Sequence, residues 1–332
     1  MKSLCLLLMF IILLTGCART DPAAAPEQGA VVQGAALPGK LLFVRQGVIW
    51  CWQGREAAPL FGDGRAAHPA LSPTGDRIAY IARSNSFSDL LLADATGQPL
   101  AQLTTYGTNE PPNSLRRVYA SRWVFYPTWA PDGTSLAVAA QAAPPMGDPP
   151  VDYNLGLALL PVGPGTARPL YSAEGAQVAG SAFSPDGTTL IFTRAASVPG
   201  GQQRLYRLEM ASGAAQPVAG APTPSYDPAF SPDGAWLAFT ARDGDQTDIF
   251  VLPASGSGTP LRLTSTGLAR APAFAPDGRQ IAFLAISPDS SGFDLWVAEL
   301  HQNEGGGLSA GPPRRLTQGM KLDGDSGVVW GL

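Results

Sequence analysis

The sequence predicts an all-β protein, a closed ring of repeated four-stranded units, on three observations. An apolar residue followed by Ser/Ala-Pro-x-Gly recurs five times, and each copy precedes a short apolar run. The two ends of the chain carry complementary fragments of one further repeat. Self-similarity at a period of roughly 40–50 residues is typical of β-units repeated around a common axis.

Each copy of the phrase predicts a tight turn. Proline presets φ at the second position of a type I turn, Asp suits the third position, and Gly supplies the left-handed residue that follows. The five copies are Leu71-Ser-Pro-Thr-Gly75, Trp129-Ala-Pro-Asp-Gly133, Phe183-Ser-Pro-Asp-Gly187, Phe230-Ser-Pro-Asp-Gly234 and Phe274-Ala-Pro-Asp-Gly278.

The runs after these turns predict strands that are buried on both faces. They are nearly apolar throughout, as expected for a sheet packed between two neighbouring sheets. A third strand and a weak fourth strand follow in each repeat, and three of the fourth strands end in Leu-Thr. The five runs are Arg77–Ile81, Ser135–Ala139, Thr189–Thr193, Trp236–Thr240 and Gln280–Leu284.

The two chain ends are expected to complete the ring. Leu41–Arg45, Val48–Trp52 and Ala58–Phe61 match strands two, three and four of a repeat that lacks its first strand. Ser326–Leu332 matches a first strand with nothing after it. Pairing the C-terminal strand with the N-terminal strands removes exposed sheet edges. We therefore predict a six-bladed β-propeller of four-stranded antiparallel blades over residues 40–332, in which the sixth blade is split between the ends.

The repeated Ser/Ala-Pro-Asp-Gly phrase with its Leu-Ala-Phe-like strand resembles the PD40 repeat of TolB-type six-bladed propellers. The resemblance covers roughly residues 40–332 and implies the fold. It does not imply one activity, because this propeller is reused on unrelated proteins. TolB itself carries an α/β domain before its propeller, and this chain has Ala18–Gly39 at that place. We therefore do not expect TolB's own partners.

The N-terminal residues predict export and a lipid anchor. The apolar run Leu4–Leu14 follows a lysine, is too short to span a bilayer and suits a signal-peptide core. It leads into Leu14-Thr-Gly-Cys17, which resembles a bacterial lipobox with Cys17 as the lipidated residue. We predict a signal peptide over residues 1–16, a flexible Ala/Pro/Gly-rich tether over 17–39 and the propeller beyond it. The expected location is the cell envelope, on a periplasmic or extracellular membrane face.

Composition narrows the classes of function. The formal net charge of −4 argues against a nucleic-acid partner. The chain holds only two histidines, which leaves few residues for metal or acid–base sites. We expect no catalytic residues, no metal and no cofactor, and a monomeric propeller.

One position in each repeat is expected at the mouth of the central channel, three residues before the apolar residue of the turn phrase. His68, Tyr126 and Asp227 occupy this position in three of the blades, and these three side chains form a candidate site for a small ligand or ion. Gly180, Ala271 and Gly327 occupy it in the others. The alternative interpretation is a water-filled polar mouth.

Two insertions interrupt the period, at 108–126 and 142–153, and four-stranded blades place both on the face opposite the turns. The first is rich in Arg, Tyr and Trp, the residue types that anchor interfaces. The alternative interpretation is that its aromatic residues fold back as a lid on the channel. The predicted partner-binding residues are Arg116, Arg117, Tyr119, Arg122, Trp123 and Tyr126.

These observations favour a lipid-anchored envelope protein that binds a protein, peptide or glycan partner through loops on one face. The alternatives are a small-ligand or ion-binding propeller, or a hydrolase- or lyase-type enzyme, with its site in the central channel.

Overall fold

The computed structural model describes residues 30–32, 36–142, 146–147, 150–152, 154–196, 201–289, 291–303 and 306–332. For 146–147 and 150–152 it describes the backbone only. The predicted signal peptide and Cys17 lie outside the described residues. The chain forms a six-bladed β-propeller, as the repeats predict, and each blade pairs its strands in antiparallel order from the channel outwards.

Blades 1, 2 and 3 follow one another along the chain. Blade 1 contains Ala66–Leu71, Arg77–Arg83, Ser88–Asp94 and Pro99–Gln102. Blade 2 contains Val124–Trp129, Ser135–Gln141, Leu155–Pro161 and Arg168–Tyr171. Blade 3 contains Ala176–Phe183, Thr189–Ala196, Gln203–Glu209 and Ala215–Pro217.

Blades 4 and 5 continue the series, and blade 6 joins the two ends of the chain. Blade 4 contains Ser225–Phe230, Trp236–Asp243, Gln246–Pro253 and Leu261–Arg262. Blade 5 contains Ala269–Phe274, Gln280–Ala285, Asp294–Gln302 and Arg314–Arg315, with Leu308–Ala310 added at its outer end. Blade 6 contains Val328–Gly331, Leu37–Arg45, Val48–Gly54 and Glu56–Phe61.

Two short strand pairs lie outside the blades. Ala30–Val31 pairs with Thr317–Gln318, and Met146–Gly147 pairs with Pro150–Asp152. Residues 30–31, together with residues 37–39 of the first long strand, fall in the segment predicted as a flexible tether. Within that segment, Ala30 and Val31 pair with the strand that follows blade 5, and Leu37 pairs with Gly54 of blade 6.

The five Ser/Ala-Pro-x-Gly turns form as predicted. In each turn the glycine N–H donates to the carbonyl of the Ser or Ala at 2.8–2.9 Å, and the glycine φ lies between 68° and 72°. Only glycine adopts that φ readily, so the residue type is required there. The turns ring one mouth of the central channel, and we call this side the turn face. The opposite side, where the channel-mouth positions lie, is the loop face.

Buried apolar clusters hold the blades together, one at each interface between neighbouring blades among the described residues. The cluster between blades 5 and 6 includes Leu41, Trp52 and Leu295. Closure of the ring places Trp330 beside Leu41, and the Trp330 indole N–H donates to the Pro38 carbonyl at 2.7 Å.

In three blades, an Asp near the start of the third strand is hydrogen-bonded to a Thr that follows the fourth strand. In blade 5, buried Asp294 accepts hydrogen bonds from the Thr317 hydroxyl at 3.0 Å and from the Gly319 and Met320 N–H groups. Asp89 with Thr104, and Asp248 with Thr264, repeat this contact in blades 1 and 4. In these three blades, a buried carboxylate with several donors ties the outermost strand to the third strand.

The connection between blades 1 and 2 contains one short helix, Leu115–Ala120, that the sequence pattern did not predict. Six residues are too few to show a 3.6-residue period, and no residue of the helix is buried. Ser114 caps it by accepting from the Arg116 N–H at 3.1 Å. Across the described segments, no helix has the length and apolar character needed to cross a membrane.

Candidate functional site

The channel-mouth positions lie where the innermost strands depart from regular pairing. His68, Tyr126, Asp227 and Ala271 have φ values of 44° to 57°, and Gly327 has 68°. In each of the first four, the next residue is proline, which has no N–H for the ladder. The pairing register shifts at the same places in blades 1, 4 and 5. A non-glycine residue with positive φ is uncommon, so this backbone bulge is a shared feature of the inner strands.

Four polar side chains from three blades meet on one side of this mouth. The Arg83 Nη2 group lies 2.7 Å from His68 Nε2 and 2.9 Å from Asp325 Oδ2. The Tyr126 hydroxyl donates to Asp325 Oδ1 at 3.1 Å, and the Tyr126 ring stacks on the His68 ring at 4.1 Å. Blade 1 supplies His68 and Arg83, blade 2 supplies Tyr126, and the entry to blade 6 supplies Asp325.

His68 is buried, and its burial disfavours the protonated form of the ring. A donor approaches each of its ring nitrogens, since the Tyr126 backbone N–H lies 3.3 Å from Nδ1 and Arg83 lies against Nε2. A neutral imidazole accepts from one of these donors and an imidazolium accepts from neither, so protonation costs one hydrogen bond. Asp325 Oδ2, 3.4 Å from Nε2, opposes this effect because it would accept from the protonated ring. Burial, with the Arg83 charge beside it, lowers the pKa of His68 below its ordinary value.

Asp325 stays ionised in this cluster. Its contacts with the His68 ring, the Arg83 guanidinium and the Tyr126 hydroxyl hold the pKa of Asp325 well below its usual range. Burial beside this anion raises the pKa of Tyr126 above its ordinary value. The turn Asp323–Ser326 positions Asp325, because Asp323 Oδ1 accepts from the Asp325 N–H at 3.0 Å and Oδ2 accepts from the Ser326 hydroxyl at 2.7 Å.

Asp227 lies on the other side of the mouth in a two-point ion pair. Arg270 Nε and Nη2 donate to Asp227 Oδ2 and Oδ1 at 3.1 and 3.2 Å. The Thr240 hydroxyl and the Ala271 N–H also reach Oδ2, at 3.3 and 3.2 Å. Arg270 therefore balances the negative charge of Asp227, and protein groups already donate hydrogen bonds to its oxygens.

The three channel residues that the sequence predicts, His68, Tyr126 and Asp227, line one cavity of about 130 Å³ at this mouth, together with Asp325 and Ser326. Sequence reasoning missed Arg83 and Asp325. Asp325 precedes the channel-mouth position Gly327 by two residues, in an Asp-Gly-Asp segment typical of a surface turn. Within the described residues, no three His, Cys, Asp or Glu side chains are arranged to hold a metal ion.

The predicted partner-binding residues divide into two groups. Trp123 and Tyr126 belong to an aromatic row at the channel mouth, since Trp123 stacks on Phe125 at 5.6 Å and Phe125 packs edge-on to His68 at 6.0 Å. Arg116, Tyr119 and Arg122 are exposed on or just after the short helix. The inserted segment thus contributes both an inward aromatic row and an outward surface.

Arg117, the sixth residue of that prediction, makes intramolecular bonds instead. Its Nε donates to the Ser86 hydroxyl at 2.7 Å, and its Nη1 donates to the Glu110 carbonyl at 2.6 Å and the Thr108 carbonyl at 3.3 Å. One side chain therefore fixes the helix to the loop of blade 1. The side chains of the second insertion, from 143 to 153, lie outside the described residues.

The fold, the turn repeats and the closure define a class, the six-bladed propellers with PD40-type repeats. Residues 120–299 match the family model PD40, the TolB beta propeller domain, and the chain belongs to that family. TolB of Acinetobacter baumannii is similar in structure, with a TM-score of 0.65 and 18% identity over 90% of this chain and 68% of that one. A putative TolB of Agrobacterium tumefaciens gives a TM-score of 0.56 and 18% identity over 86% and 92%.

A curated relative of this chain is a longer protein. The uncharacterized peptidase YuxL of Bacillus subtilis (strain 168) is 26% identical over 231 residues, which are 67% of this chain. This chain spans 29% of the length of that relative.

Proposed function

We propose that this protein is a cell-envelope binding protein that engages a partner protein through the loop face. The observation that carries the proposal is the helix Leu115–Ala120, which buries none of its residues. Leu115 is 58% exposed and Tyr119 is 48% exposed. Apolar and aromatic side chains held on the surface of an ordered segment are typical of an interface.

The segment is preorganised for binding. Ser114 caps the helix, the Arg117–Ser86 hydrogen bond holds it against the loop of blade 1, and the Arg117 bonds to the Thr108 and Glu110 carbonyls brace the inserted segment itself. Because the surface is already ordered, association loses less conformational entropy. The exposed cations Arg116 and Arg122 lie beside Leu115 and Tyr119, which favours an acidic protein segment with apolar residues as the partner.

At the channel mouth, the two groups with lowered pKa values, His68 and Asp325, are not suited to act as general acids. Asp227 forms an ion pair with Arg270, and Asp325 forms one with Arg83, so an arginine balances the charge of each carboxylate. The lowered pKa values of His68 and Asp325 keep these groups in their unprotonated forms. A general acid needs a proton to give near the working pH, and neither group holds one there.

Capture from an envelope extract tests the proposal. The tagged protein is compared with a Tyr119→Ser, Arg122→Glu variant, at equal amounts of folded protein. Arg168→Glu is the matched control, because Arg168 is exposed on the outer strand of blade 2. We expect a partner with the parent and the control and none with the double variant. Equal capture by all three, or a glycan as the captured species, would contradict a protein partner at this surface.

Export and lipid anchoring at Cys17 belong to the same proposal. The lipobox-like residues before Cys17 support it. Labelling with a radioactive fatty acid tests it. We expect label on the parent and a membrane-bound protein, and neither in a Cys17→Ser variant; label on both would contradict it.

A small ligand in the channel is the second candidate, favoured by the cavity of about 130 Å³ that His68, Tyr126 and Asp227 line. Its size suits a few non-hydrogen atoms. A thermal-shift screen with small amines, carboxylates and divalent cations tests it, with Asp325→Asn as the comparison. A saturable shift that this variant loses would support the site, and no shift with any probe would remove this candidate.

A further inference from the structure

Blade 3 departs from three other blades at the loop-face end of its second and third strands. In blades 1, 4 and 5 an alanine on the second strand pairs with an aspartate near the start of the third, and these pairs are Ala82 with Asp89, Ala241 with Asp248 and Ala285 with Asp294. In these blades and in blade 3, the next residue of the third strand accepts a backbone hydrogen bond from the residue after the fourth strand. This shared contact makes Arg194 and Arg204, which pair in blade 3, the equivalents of the alanine and the aspartate.

The two arginines form an unbalanced pair of positive charges. Side chains directly opposite in an antiparallel pair have Cβ atoms about 4.5–5.5 Å apart, and like charges there destabilise the sheet. Arg194 and Arg204 are half-buried, and the buried Nε atom of each has no hydrogen-bond partner. Across the ranges that the structure describes, no carboxylate forms an ion pair with either guanidinium. A negatively charged group at this position would relieve the repulsion.

In blade 4, a carboxylate fills the corresponding place. Arg262 lies over the Phe250 ring at 6.0 Å and pairs with buried Asp248. In blade 3, Arg194 lies over the Tyr206 ring at 5.2 Å. Tyr206 and Phe250 are equivalent, because each pairs with the last residue of its fourth strand. Blade 3 therefore keeps the contact between guanidinium and ring, but holds a second cation where blade 4 holds the anion.

Tyrosines lie beside the two arginines. The Arg194 Nη1 group donates to the Tyr206 hydroxyl at 2.8 Å, which leaves the phenolic proton for another acceptor. Tyr171 of blade 2 lies close by, since burial raises the pKa of its phenol and the Arg194 charge opposes that shift. The Tyr171 ring packs against Phe192 with 4.8 Å between ring centres. Two guanidinium groups and the phenolic proton of Tyr206 can thus donate to one acceptor group.

We propose that Arg194, Arg204 and the Tyr206 hydroxyl bind the oxyanion of a small ligand, a phosphate or a carboxylate group. The bound group takes the place that the Asp248 carboxylate has in blade 4. Guanidinium groups donate parallel hydrogen bonds to such oxygens, and partial burial strengthens the charge pairing. None of the three residues lines the channel-mouth cavity or belongs to the helix Leu115–Ala120, so this site is additional to both.

NMR titration of the arginine side chains in the whole protein tests this site, with inorganic phosphate and succinate as separate probes at constant ionic strength. We expect the Nε–Hε signals of Arg194 and Arg204 to shift along one saturable curve. Arg194→Gln and Arg204→Gln should each weaken binding at least about tenfold, because each removes a charge-assisted contact. Arg242→Gln is the matched control and should bind like the parent, since Arg242 is exposed on the second strand of blade 4. The probe that binds more tightly identifies the ligand group as phosphate or carboxylate.

An Arg204→Asp variant separates ligand binding from a structural role of this arginine. Its new carboxylate faces Arg194, so the thermal midpoint without phosphate should equal or exceed that of the parent, and the response to phosphate should be lost. The proposal is overturned by shifts that do not saturate with either probe, by equal binding to Arg204→Gln, or by an Arg204→Asp variant that melts below the parent or still responds to phosphate. The Tyr119→Ser, Arg122→Glu variant should bind phosphate like the parent, so this result is independent of the loop-face proposal.

Discussion

Replacing His68 by Asn is expected to remove a pH dependence from the stability of the propeller. The folded protein lowers the pKa of His68 by burial, from an ordinary value of 6.5. The unfolded chain therefore binds a proton at pH values where the folded protein does not. By linkage, the stability from neutral His68 is complete above pH 6.5 and is lost as the pH falls below it. Asn retains the left-handed backbone found at this position.

The lowered pKa of His68 sets how much unfolding free energy the protein loses as the pH falls. When a histidine stays neutral in the folded state, the protein loses about 1.4 kcal/mol of unfolding free energy for each pH unit below the ordinary pKa of that histidine. Between pH 7.5 and 5.5 the parent should therefore lose up to about 1.4 kcal/mol of unfolding free energy, the upper limit being reached when the folded ring stays neutral throughout. The carboxylates, including Asp325 with its lowered pKa, contribute at more acidic pH.

Urea unfolding at three pH values measures the effect. The His68→Asn variant should be less stable than the parent at pH 7.5, because the stack on Tyr126 is lost, but its stability should change little down to pH 5.5. His301→Asn is the control, since His301 is the other histidine of the chain and is exposed. A parent stability that stays flat over this window, or a variant that keeps the full slope, would refute the reasoning.

Three other changes test the fold and the loop-face segment. Asp294→Ala leaves the buried donors of Thr317 and its neighbours unmatched and should cost about 3–5 kcal/mol in urea unfolding; a loss below about 1 kcal/mol contradicts the Asp–Thr link. Trp330→Ala should cost about 3–5 kcal/mol by opening a cavity at the closure strand, and an unchanged urea midpoint contradicts closure by that strand. Arg117→Ala should leave global stability nearly unchanged but speed amide exchange at Ser121 and Arg122, and unchanged exchange would mean that other contacts hold the helix.

The blades were predictable because their signal is local and repeated. Each Ser/Ala-Pro-x-Gly phrase contains the residues that its own turn requires, so Gly187 and its equivalents predicted the turn without knowledge of any distant contact. The split blade was predictable as well, since the two end fragments supply complementary strands. The channel-mouth position followed from counting back along each repeat, and its shared positive φ at His68 and Tyr126 agrees with that equivalence.

The parts that sequence reasoning missed depend on contacts between distant residues. Asp325 lies 257 residues from His68, and its Asp-Gly-Asp segment has the pattern of an ordinary turn. The sequence predicts Arg117 as a partner-binding residue. Its hydrogen bond to Ser86 joins two irregular loops, and no sequence pattern indicates that contact. The helix Leu115–Ala120 was too short to predict from periodicity. The partners of Asp325 and Arg117 are set by the ring closure and by an irregular loop, and the helix lies in that same loop.

Site-specific photocrosslinking in the host cell is the most direct test of the central claim, that the loop face binds a protein partner. A photoreactive phenylalanine analogue replaces Tyr119 in one sample and exposed His301, on the outer strand region of blade 5, in the other. We expect a crosslinked protein species from position 119 and none from position 301. Crosslinks from both positions, or from neither, would contradict the claim.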